Sequence, residues 1–154
     1  MATTPIPDNY PRVTPYLAID GAAAAIDFYK RAFGATERMR MPGPQGTIGH
    51  AEIEIEGALI MMADEYAAMD FRSPKTIGGS PVMIHMYVSD VDAFFKRAKA
   101  AGVEVLREPT TQFYGDRSCS LKDPYGHLWS VATHVEDVSE EELKKRSEKL
   151  AGGG

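Results

Sequence analysis

The sequence predicts an α+β fold built from two tandem β-α-β-β-β modules and a C-terminal helix. Two stretches of the chain resemble each other, FYKRA at 28–32 and FFKRA at 94–98. Each follows an apolar segment that ends in an acidic turn, YLAID at 16–20 and MYVSD at 86–90. Each also precedes a glycine that can stop a helix, and then a second apolar segment. A shared order of elements of this kind indicates an internal repeat.

Periodicity assigns the elements within each module, because apolar residues recur every three or four positions in a helix and alternate in a half-buried strand. In the first module the expected elements are a strand at 13–20, a helix at 22–33, a strand at 36–41 and a hairpin of 48–56 and 58–63. In the second module they are a strand at 82–88, a helix at 91–101, a strand at 103–107 and a hairpin of 118–122 and 128–134, closed by the turn sequence DPYG.

The modules are expected to form one domain over 1–138, at about 12–65 and 81–135, joined by a linker at 66–80. The segment 139–154 is expected to be a C-terminal helix with a frayed Ala-Gly-Gly-Gly end. Ser139 can cap this helix and Glu142 stands three residues later, as in a capping box.

Composition limits the cellular roles that the chain can have. Of its 154 residues, 44% are hydrophobic and 25% are charged, and no apolar run is long enough to span a membrane. The net charge of −5 and the lack of a basic stripe argue against a nucleic-acid partner. The single cysteine, Cys119, excludes an internal disulfide and is expected to pack as a small hydrophobic residue. The N-terminus also lacks the pattern of a secretion signal, so we expect a cytoplasmic protein with no membrane partner.

Several segments resemble a known family. They are TPYLAIDGAAAAIDFYKRAFGA, GHAEIEI, FYGDR and DPYGHLWSVATHVEDVS. Together with the repeat, they are similar to the vicinal oxygen chelate superfamily, which includes glyoxalase I, bleomycin-resistance proteins, fosfomycin-resistance enzymes and extradiol dioxygenases. The resemblance covers about residues 12–138 and is strongest to the PhnB-like branch. It implies a glyoxalase/bleomycin-resistance-like cavity, formed where each module curls its sheet into a U with the helix on the convex side.

Strand alternation then assigns residues to the two faces of each sheet. The residues expected to pack toward the helices are Val13, Leu17 and Ile19 on the first strand and Val82, Ile84, Met86 and Val88 on the fifth. The residues expected to face the cavity are Thr14, Tyr16 and Ala18 on the first strand and Met83, His85 and Tyr87 on the fifth.

The resemblance implies four metal ligands in the metal-dependent members, on the first, fourth, fifth and last strands. The residues in those positions here are Thr14, Met61, Met83 and Ser130. None is a good ligand for a divalent metal, since a thioether is soft and a neutral hydroxyl is weak. We therefore expect no metal and no other cofactor. A register error of two residues is the alternative: it would bring His85, and also Tyr16, to ligand positions, but no carboxylate to the last strand.

The segment GHAEIEIEG carries the strongest candidates for chemistry. His50 and Glu52 stand two apart on one strand, so they share a face and can touch. A carboxylate beside an imidazole favours the charged imidazole, which suits an acid-base pair or a polar ligand site. A solvated strand face is the alternative.

Further residues are candidates for ligand binding. Tyr16, His85 and Tyr87 would stand on the cavity wall, and Met61 and Met83 would give it a flexible apolar lining. Tyr114 could stack on a ligand, and Arg117 could bind an anion such as a carboxylate or phosphonate. An Asp116–Arg117 pair that fixes the loop is the alternative. Of the other residues in the closing hairpin, Trp129 is expected in the core, His127 at the surface and His134 in a structural role.

The favoured hypothesis for function is a metal-free homodimer that binds a small organic molecule in its cavity, with a possible role in sequestration or resistance. The alternative is a lyase, isomerase or dioxygenase acting on a small oxygenated metabolite, either with a metal or with His50 and Glu52 as the acid-base pair. A structural or regulatory partner is a third possibility.

Overall fold

The computed structural model describes residues 2–153 and confirms the two-module α+β fold. The elements of the first module are β1 (Tyr16–Ile19), α1 (Ala22–Phe33), β2 (Thr36–Pro42), β3 (Ile48–Ile55) and β4 (Ala58–Asp64). A one-turn helix, α2 (Pro74–Ile77), lies in the linker. The remaining elements are β5 (Met83–Tyr87), α3 (Val91–Ala101), β6 (Glu104–Thr111), β7 (Asp116–Lys122), β8 (Leu128–His134) and α4 (Glu140–Gly152).

Each module forms one four-stranded sheet, and the two sheets have matching topology. The strand orders are β1-β4-β3-β2 and β5-β8-β7-β6. In each sheet the first strand of the module is parallel to the last, and the other neighbours are antiparallel. Both first strands lie at a sheet edge, and the last strands lie next to them.

The core lies between the two sheets and helices α1 and α3. Phe33 of α1 stacks on Phe94 of α3, with 5.2 Å between ring centroids, and contacts Trp129 of β8 edge-on at 4.9 Å. Trp129 is fully buried, which confirms its predicted place in the core, and Cys119 is buried as a small hydrophobic residue, as expected. The same apolar contacts therefore hold both modules together.

Asp123 of the DPYG turn connects the modules by hydrogen bonds. Its Oδ1 accepts bonds from the backbone N–H groups of Tyr125 (2.9 Å) and His127 (3.0 Å). Its Oδ2 accepts bonds from the Tyr29 hydroxyl of α1 (2.5 Å) and from Trp129 Nε1 (2.9 Å). The carboxylate is 3% exposed, so its charge is stabilised by four donors instead of water.

Three expectations about burial were wrong. His127 is only 9% exposed, because its turn folds back onto β1 and Nε2 lies 2.9 Å from the carbonyl oxygen of Ala18. Val13 and Val82, predicted to pack under the helices, are 86% and 63% exposed. Both precede the strands that they were assigned to, since β1 begins at Tyr16 and β5 at Met83.

The C-terminal helix begins as predicted. The side chain of Ser139 accepts a hydrogen bond from the backbone N–H of Glu142 at 3.1 Å. Arg146 attaches α4 to the domain through the Glu136 carboxylate (2.7 Å) and the carbonyl oxygen of Phe113 (2.9 Å). The helix continues to Gly152, into the segment expected to be frayed; Gly154 of that segment and Met1 lie outside the described residues. Within residues 2–153, no helix has the length and hydropathy needed to cross a bilayer.

Candidate functional site

The face of the first sheet that is turned away from α1 carries most of the polar candidates; we call it the open face of that sheet. Along β3 the residues Ala51, Ile53 and Ile55 are buried in the core. The alternating residues His50 and Glu52 therefore lie on the open face. The strand register places four residues beside one another across this face, namely Met39, Glu52, Met61 and Tyr16.

Four side chains on this face form a hydrogen-bonded network. The hydroxyl of Tyr16 lies 2.7 Å from His50 Nδ1, and His50 Nε2 lies 2.9 Å from Glu52 Oε2. Tyr10, from the segment before β1, donates to Glu52 Oε1 at 3.0 Å. Arg38 adds a longer contact, with Nε 3.8 Å from Glu52 Oε1 and its guanidinium 4.8 Å above the Tyr10 ring. The contact expected between His50 and Glu52 is thus present.

The network keeps Glu52 ionised although its side chain is buried. Only 2% of Glu52 is exposed, and burial by itself raises the pKa of a carboxyl group. Hydrogen bonds from His50 and Tyr10 outweigh that effect, and the pKa of Glu52 falls below its ordinary value. The same carboxylate raises the pKa of Tyr10 through the shared hydrogen bond. Burial is the main reason that the pKa of Tyr16 is raised, and the charge of Glu52 adds to it.

This arrangement defines a path for a proton. With a neutral imidazole, His50 Nε2–H donates to the Glu52 carboxylate and Nδ1 accepts from the Tyr16 hydroxyl. The Glu52 carboxylate then fixes the tautomer of His50, as the carboxylate of a Ser-His-Asp triad fixes the tautomer of its histidine. A ligand that contacts Tyr16 could exchange a proton with His50 through the hydroxyl.

An apolar cavity lies next to Tyr16. Its volume is about 570 Å³, which is in the range of small-molecule pockets. Tyr16, Tyr66, Met69 and Phe71 supply the larger apolar side chains of its wall, and Ile48 also lines it. Tyr16 and Phe71 meet edge-on at 5.6 Å and also line a second cavity of about 420 Å³, which reaches toward β5. Tyr16 therefore connects the polar network with an aromatic cavity.

The second sheet has a separate polar cluster on its own open face, the face turned away from α3. His85 Nδ1 lies 2.9 Å from Ser130 Oγ, and the rings of His85 and Tyr87 meet edge-on at 5.0 Å. The Tyr87 hydroxyl donates to Asp116 Oδ2 at 2.7 Å. His85 and Tyr87 thus share the open face, as the alternation of β5 predicted.

Asp116 also holds His134, at the end of β8. His134 Nδ1 lies 2.8 Å from Asp116 Oδ1, and its Nε2 lies 2.7 Å from Asp137 Oδ1. These two contacts raise the pKa of His134, and the hydrogen bond with Asp116 has the larger effect. Burial of Asp116 raises its pKa, but its hydrogen bonds with His134 and Tyr87 prevail and lower it. His134 thus attaches the segment before α4 to the second sheet.

Of the two candidates expected in the turn before the closing hairpin, Tyr114 precedes β7 and Arg117 lies within it. Arg117 makes a bidentate ion pair with Asp92 of α3, at 2.9 and 3.0 Å, on the helix side of the sheet. The Asp116–Arg117 pair is therefore wrong, because neighbouring residues of a strand point to opposite faces. The anion-binding role of Arg117 stays a prediction that this geometry does not favour. Tyr114 is exposed and packs edge-on against Phe113 at 5.3 Å.

The positions that hold metal in metal-dependent relatives do not fit a metal here. They carry Thr14, Met61, Met83 and Ser130, which offer two hydroxyls and two thioethers. Cα pairing sets Tyr16 beside Met61 and His85 beside Ser130, so a shift along the strands adds one phenol and one imidazole. No group of three or more His, Cys, Asp or Glu side chains suited to a metal occurs in residues 2–153.

Two residues of these open faces had no signal in the sequence. Tyr10 lies in an irregular segment, where no periodicity indicates which face a side chain contacts. Arg107 lies on β6, where two register shifts interrupt the alternation. Its guanidinium donates to Ser118 Oγ at 2.9 Å, which places it on the open face of the second sheet.

Comparison with known proteins agrees with the geometry. A family model described as the glyoxalase/bleomycin resistance protein/dioxygenase superfamily matches residues 12–131. A protein of Mycobacterium tuberculosis strain H37Rv is 42% identical over 137 residues, which are 87% of this chain and 81% of that protein. The crystal structure of TioX from Micromonospora sp. ML1 is 26% identical, with a TM-score of 0.65, and the match covers 84% of this chain and 100% of TioX.

The PhnB protein of Bacillus cereus has the same fold, with a TM-score of 0.61 and 20% identity over 80% of this chain and 99% of its own. The family match extends over both modules and agrees with the strand orders, the closing DPYG turn and the helices that cover one side of each sheet. The chain therefore belongs to the glyoxalase/bleomycin resistance protein/dioxygenase superfamily.

Proposed function

We propose that this protein binds a small organic molecule in the cavity beside Tyr16, without a divalent metal in the family's ligand positions. One observation carries the proposal: a polar network built on a buried, ionised Glu52 ends at Tyr16, which lines an apolar cavity. Ligand sites commonly combine an apolar wall with a few fixed polar groups. Binding there would remove the molecule from free solution, which suits sequestration or a resistance role.

The cavity wall indicates which contacts would hold the ligand. Tyr16, Tyr66 and Phe71 offer aromatic surfaces, and Met69 offers a thioether that adapts to irregular shapes. The Tyr16 hydroxyl supplies a polar contact whose orientation His50 and Glu52 fix. Thr47 and Tyr66, which also line the cavity, carry further hydroxyls. We expect most of the affinity to come from apolar burial, and the orientation of the ligand to come from Tyr16.

We propose further that the protein acts in the cytoplasm as a homodimer. Its only cysteine is a buried free thiol, which suits a reducing compartment.

Several large apolar side chains stay exposed in the single chain, among them Met69, Ile77 and Val82 around the linker and β5. Apolar surface of this kind commonly marks an interface. Light scattering coupled to size exclusion should give twice the mass of one chain; a monomer at every concentration would contradict the dimer.

A thermal-shift screen of aromatic and oxygenated small molecules tests the binding proposal, because a ligand that binds only the folded state raises its apparent stability. Affinities of the hits are then measured by calorimetry. Tyr16→Ala should weaken binding about tenfold or more, since it removes a buried aromatic contact. If every confirmed ligand binds Tyr16→Ala as tightly as the wild type, the cavity beside Tyr16 is not the site.

A matched pair of variants isolates the polar contact. Tyr16→Phe removes only the hydroxyl that reaches His50, whereas Tyr125→Phe removes a hydroxyl that lies outside the cavity and has no hydrogen-bond partner within residues 2–153. We expect Tyr16→Phe to weaken binding of polar ligands severalfold and Tyr125→Phe to leave it unchanged. Equal effects of the two substitutions would show that the hydrogen-bonded network does not contribute to ligand binding.

Metal analysis tests the proposal that no divalent metal occupies the family's ligand positions. Protein purified without chelators should contain less than about a tenth of an equivalent of any transition metal, because a site made of hydroxyls and thioethers binds such ions weakly. Stoichiometric metal would contradict the metal-free proposal and favour the metal-dependent lyase, isomerase or dioxygenase.

The relay from Tyr16 to Glu52 supports an enzyme as the second candidate. His50 could take a proton from a small oxygenated metabolite through the Tyr16 hydroxyl and return it to another atom, as a metal-free isomerase or lyase requires. His50→Gln separates the two candidates. Binding without turnover in the wild type favours sequestration, whereas turnover that His50→Gln abolishes while binding persists favours the enzyme.

A further inference from the structure

Four donor-bearing residues stand side by side across the whole second sheet. Strand pairing sets Arg107 of β6 beside Ser120 of β7, Ser120 beside Ser130 of β8, and Ser130 beside His85 of β5. We call these four residues the donor row. The row crosses all four strands, so its side chains lie about one strand spacing, roughly 5 Å, from their neighbours.

The donor row lies on the open face of the sheet. Cys119, Leu121, Trp129 and Val131, which alternate with the two serines, are fully buried in the core on the other side. His85 is exposed, and Arg107, Ser120 and Ser130 are partly exposed. A molecule in solvent can therefore reach all four side chains.

The donor row carries a positive charge that no acid neutralises directly. The guanidinium of Arg107 donates to the carbonyl oxygen and hydroxyl of Ser118, and within the described chain no carboxylate lies within 4.0 Å of it. Asp116, on the same face of β7, is four residues from Ser120 and is engaged by Tyr87 and His134.

His85 completes the row with a second nitrogen. Its Nδ1 contacts Ser130 Oγ at 2.9 Å, and in the described residues Nε2 has no hydrogen-bond partner. The equivalent row of the first sheet, Met39, Glu52, Met61 and Tyr16, contains a carboxylate and two thioethers instead. The row of the first sheet is thus acidic, whereas the matching row of the second sheet is basic.

We propose that the donor row is a second binding site, which takes the oxyanion group of a small molecule: a carboxylate, phosphate or phosphonate. The inference goes beyond the proposed function, because none of the four residues lines the cavity beside Tyr16. Arginine binds such groups through two parallel hydrogen bonds, and the serine hydroxyls and His85 provide donors for the remaining oxygen lone pairs. Arg107 is the residue on which the affinity for the anion depends most, because it supplies the charge.

The four histidines of the chain make the test direct, since each imidazole can be followed by NMR and assigned by substitution. Inorganic phosphate, methylphosphonate and acetate are titrated separately, at constant pH and ionic strength. We expect a saturable shift of the His85 resonances and little change at His50, which lies on the other sheet. Tighter binding of phosphate and methylphosphonate than of acetate would identify a phosphoryl-type ligand, and the reverse order a carboxylate.

Substitutions locate the binding site. Arg107→Gln should weaken anion binding about tenfold or more, because it removes a charge-assisted pair of hydrogen bonds. Lys96→Gln, on the exposed surface of α3, removes the same charge and should change the affinity less than about twofold. If Arg107→Gln does not fold, Arg107→Lys and Ser130→Ala should each weaken binding. Wild-type affinity in the folded Arg107 variants would overturn the inference.

The result also separates this inference from the proposed function. If no anion gives a saturable shift at His85, but a neutral aromatic compound binds and shifts His50, the donor row is not an oxyanion site and the cavity beside Tyr16 remains. If neither the anions nor any screened compound binds, both proposals fail. If the His85 and His50 resonances respond alike and without saturation, the effect is one of bulk salt, and the oxyanion site is excluded.

Discussion

The buried contact between Tyr29 and Asp123 gives a quantitative prediction for stability. The Tyr29 hydroxyl donates to Asp123 Oδ2 at 2.5 Å, and both residues are almost inaccessible to solvent. A hydrogen bond to a charged group contributes about 1.5–3 kcal/mol. Tyr29→Phe removes this bond alone, because three other donors continue to satisfy the carboxylate. We expect the free energy of unfolding to fall by about 2 kcal/mol and Tm to fall by about 6 °C.

Urea unfolding followed by the fluorescence of Trp129, at a fixed protein concentration, measures this change. The midpoint should fall while the slope m stays constant, since the surface exposed on unfolding is unchanged. Tyr125→Phe is the matched control, because the Tyr125 hydroxyl has no hydrogen-bond partner within residues 2–153 although its ring packs against Phe28. Its effect should stay within about 0.5 kcal/mol. If Tyr29→Phe costs no more than Tyr125→Phe, the carboxylate does not connect the modules in the way described.

Three further predictions concern single residues. His134 has a raised pKa because of Asp116 and Asp137, so its contribution to stability is complete below its ordinary pKa of 6.5 and is lost as pH rises through the higher folded value. The Tm difference between wild type and His134→Gln should therefore shrink above pH 6.5, and a difference that grows would contradict the assignment. Burial raises the pKa of Cys119 to about 11, so its thiol should react with Ellman's reagent only after unfolding in urea. Ser139→Ala removes the cap of α4, which costs about 1 kcal/mol, and amide exchange there should accelerate about fivefold.

The modules could be predicted from sequence because their signals are local. The stripe of apolar residues on each helix and the alternation along β3 depend only on neighbours in the chain, and the structure confirms the two-module fold from them. The same alternation correctly placed His50 beside Glu52, although their function stays a prediction. The surface position of His127 was wrong because its burial depends on Ala18, more than a hundred residues away in the chain.

The parts of the site that sequence reasoning missed have a common physical cause. Tyr10 contacts Glu52 from a segment without regular structure, so its direction depends on tertiary contacts alone. Arg107 faces the serines because the register shift between Val105 and Arg107 resets the alternation of β6. A shift of one residue reverses the face of every following side chain. Pro109 marks the second shift, but no such residue marks the first.

The four-donor carboxylate of Asp123 has a consequence for how a ligand reaches the cavity. Because it attaches α1 of one module to the closing turn of the other, the two modules cannot separate without breaking buried hydrogen bonds. Under the proposed function, a ligand would need no such separation, because Tyr66 and Met69 of the cavity wall are 50% and 77% exposed. It would enter from that exposed side while the contacts between the modules stay in place.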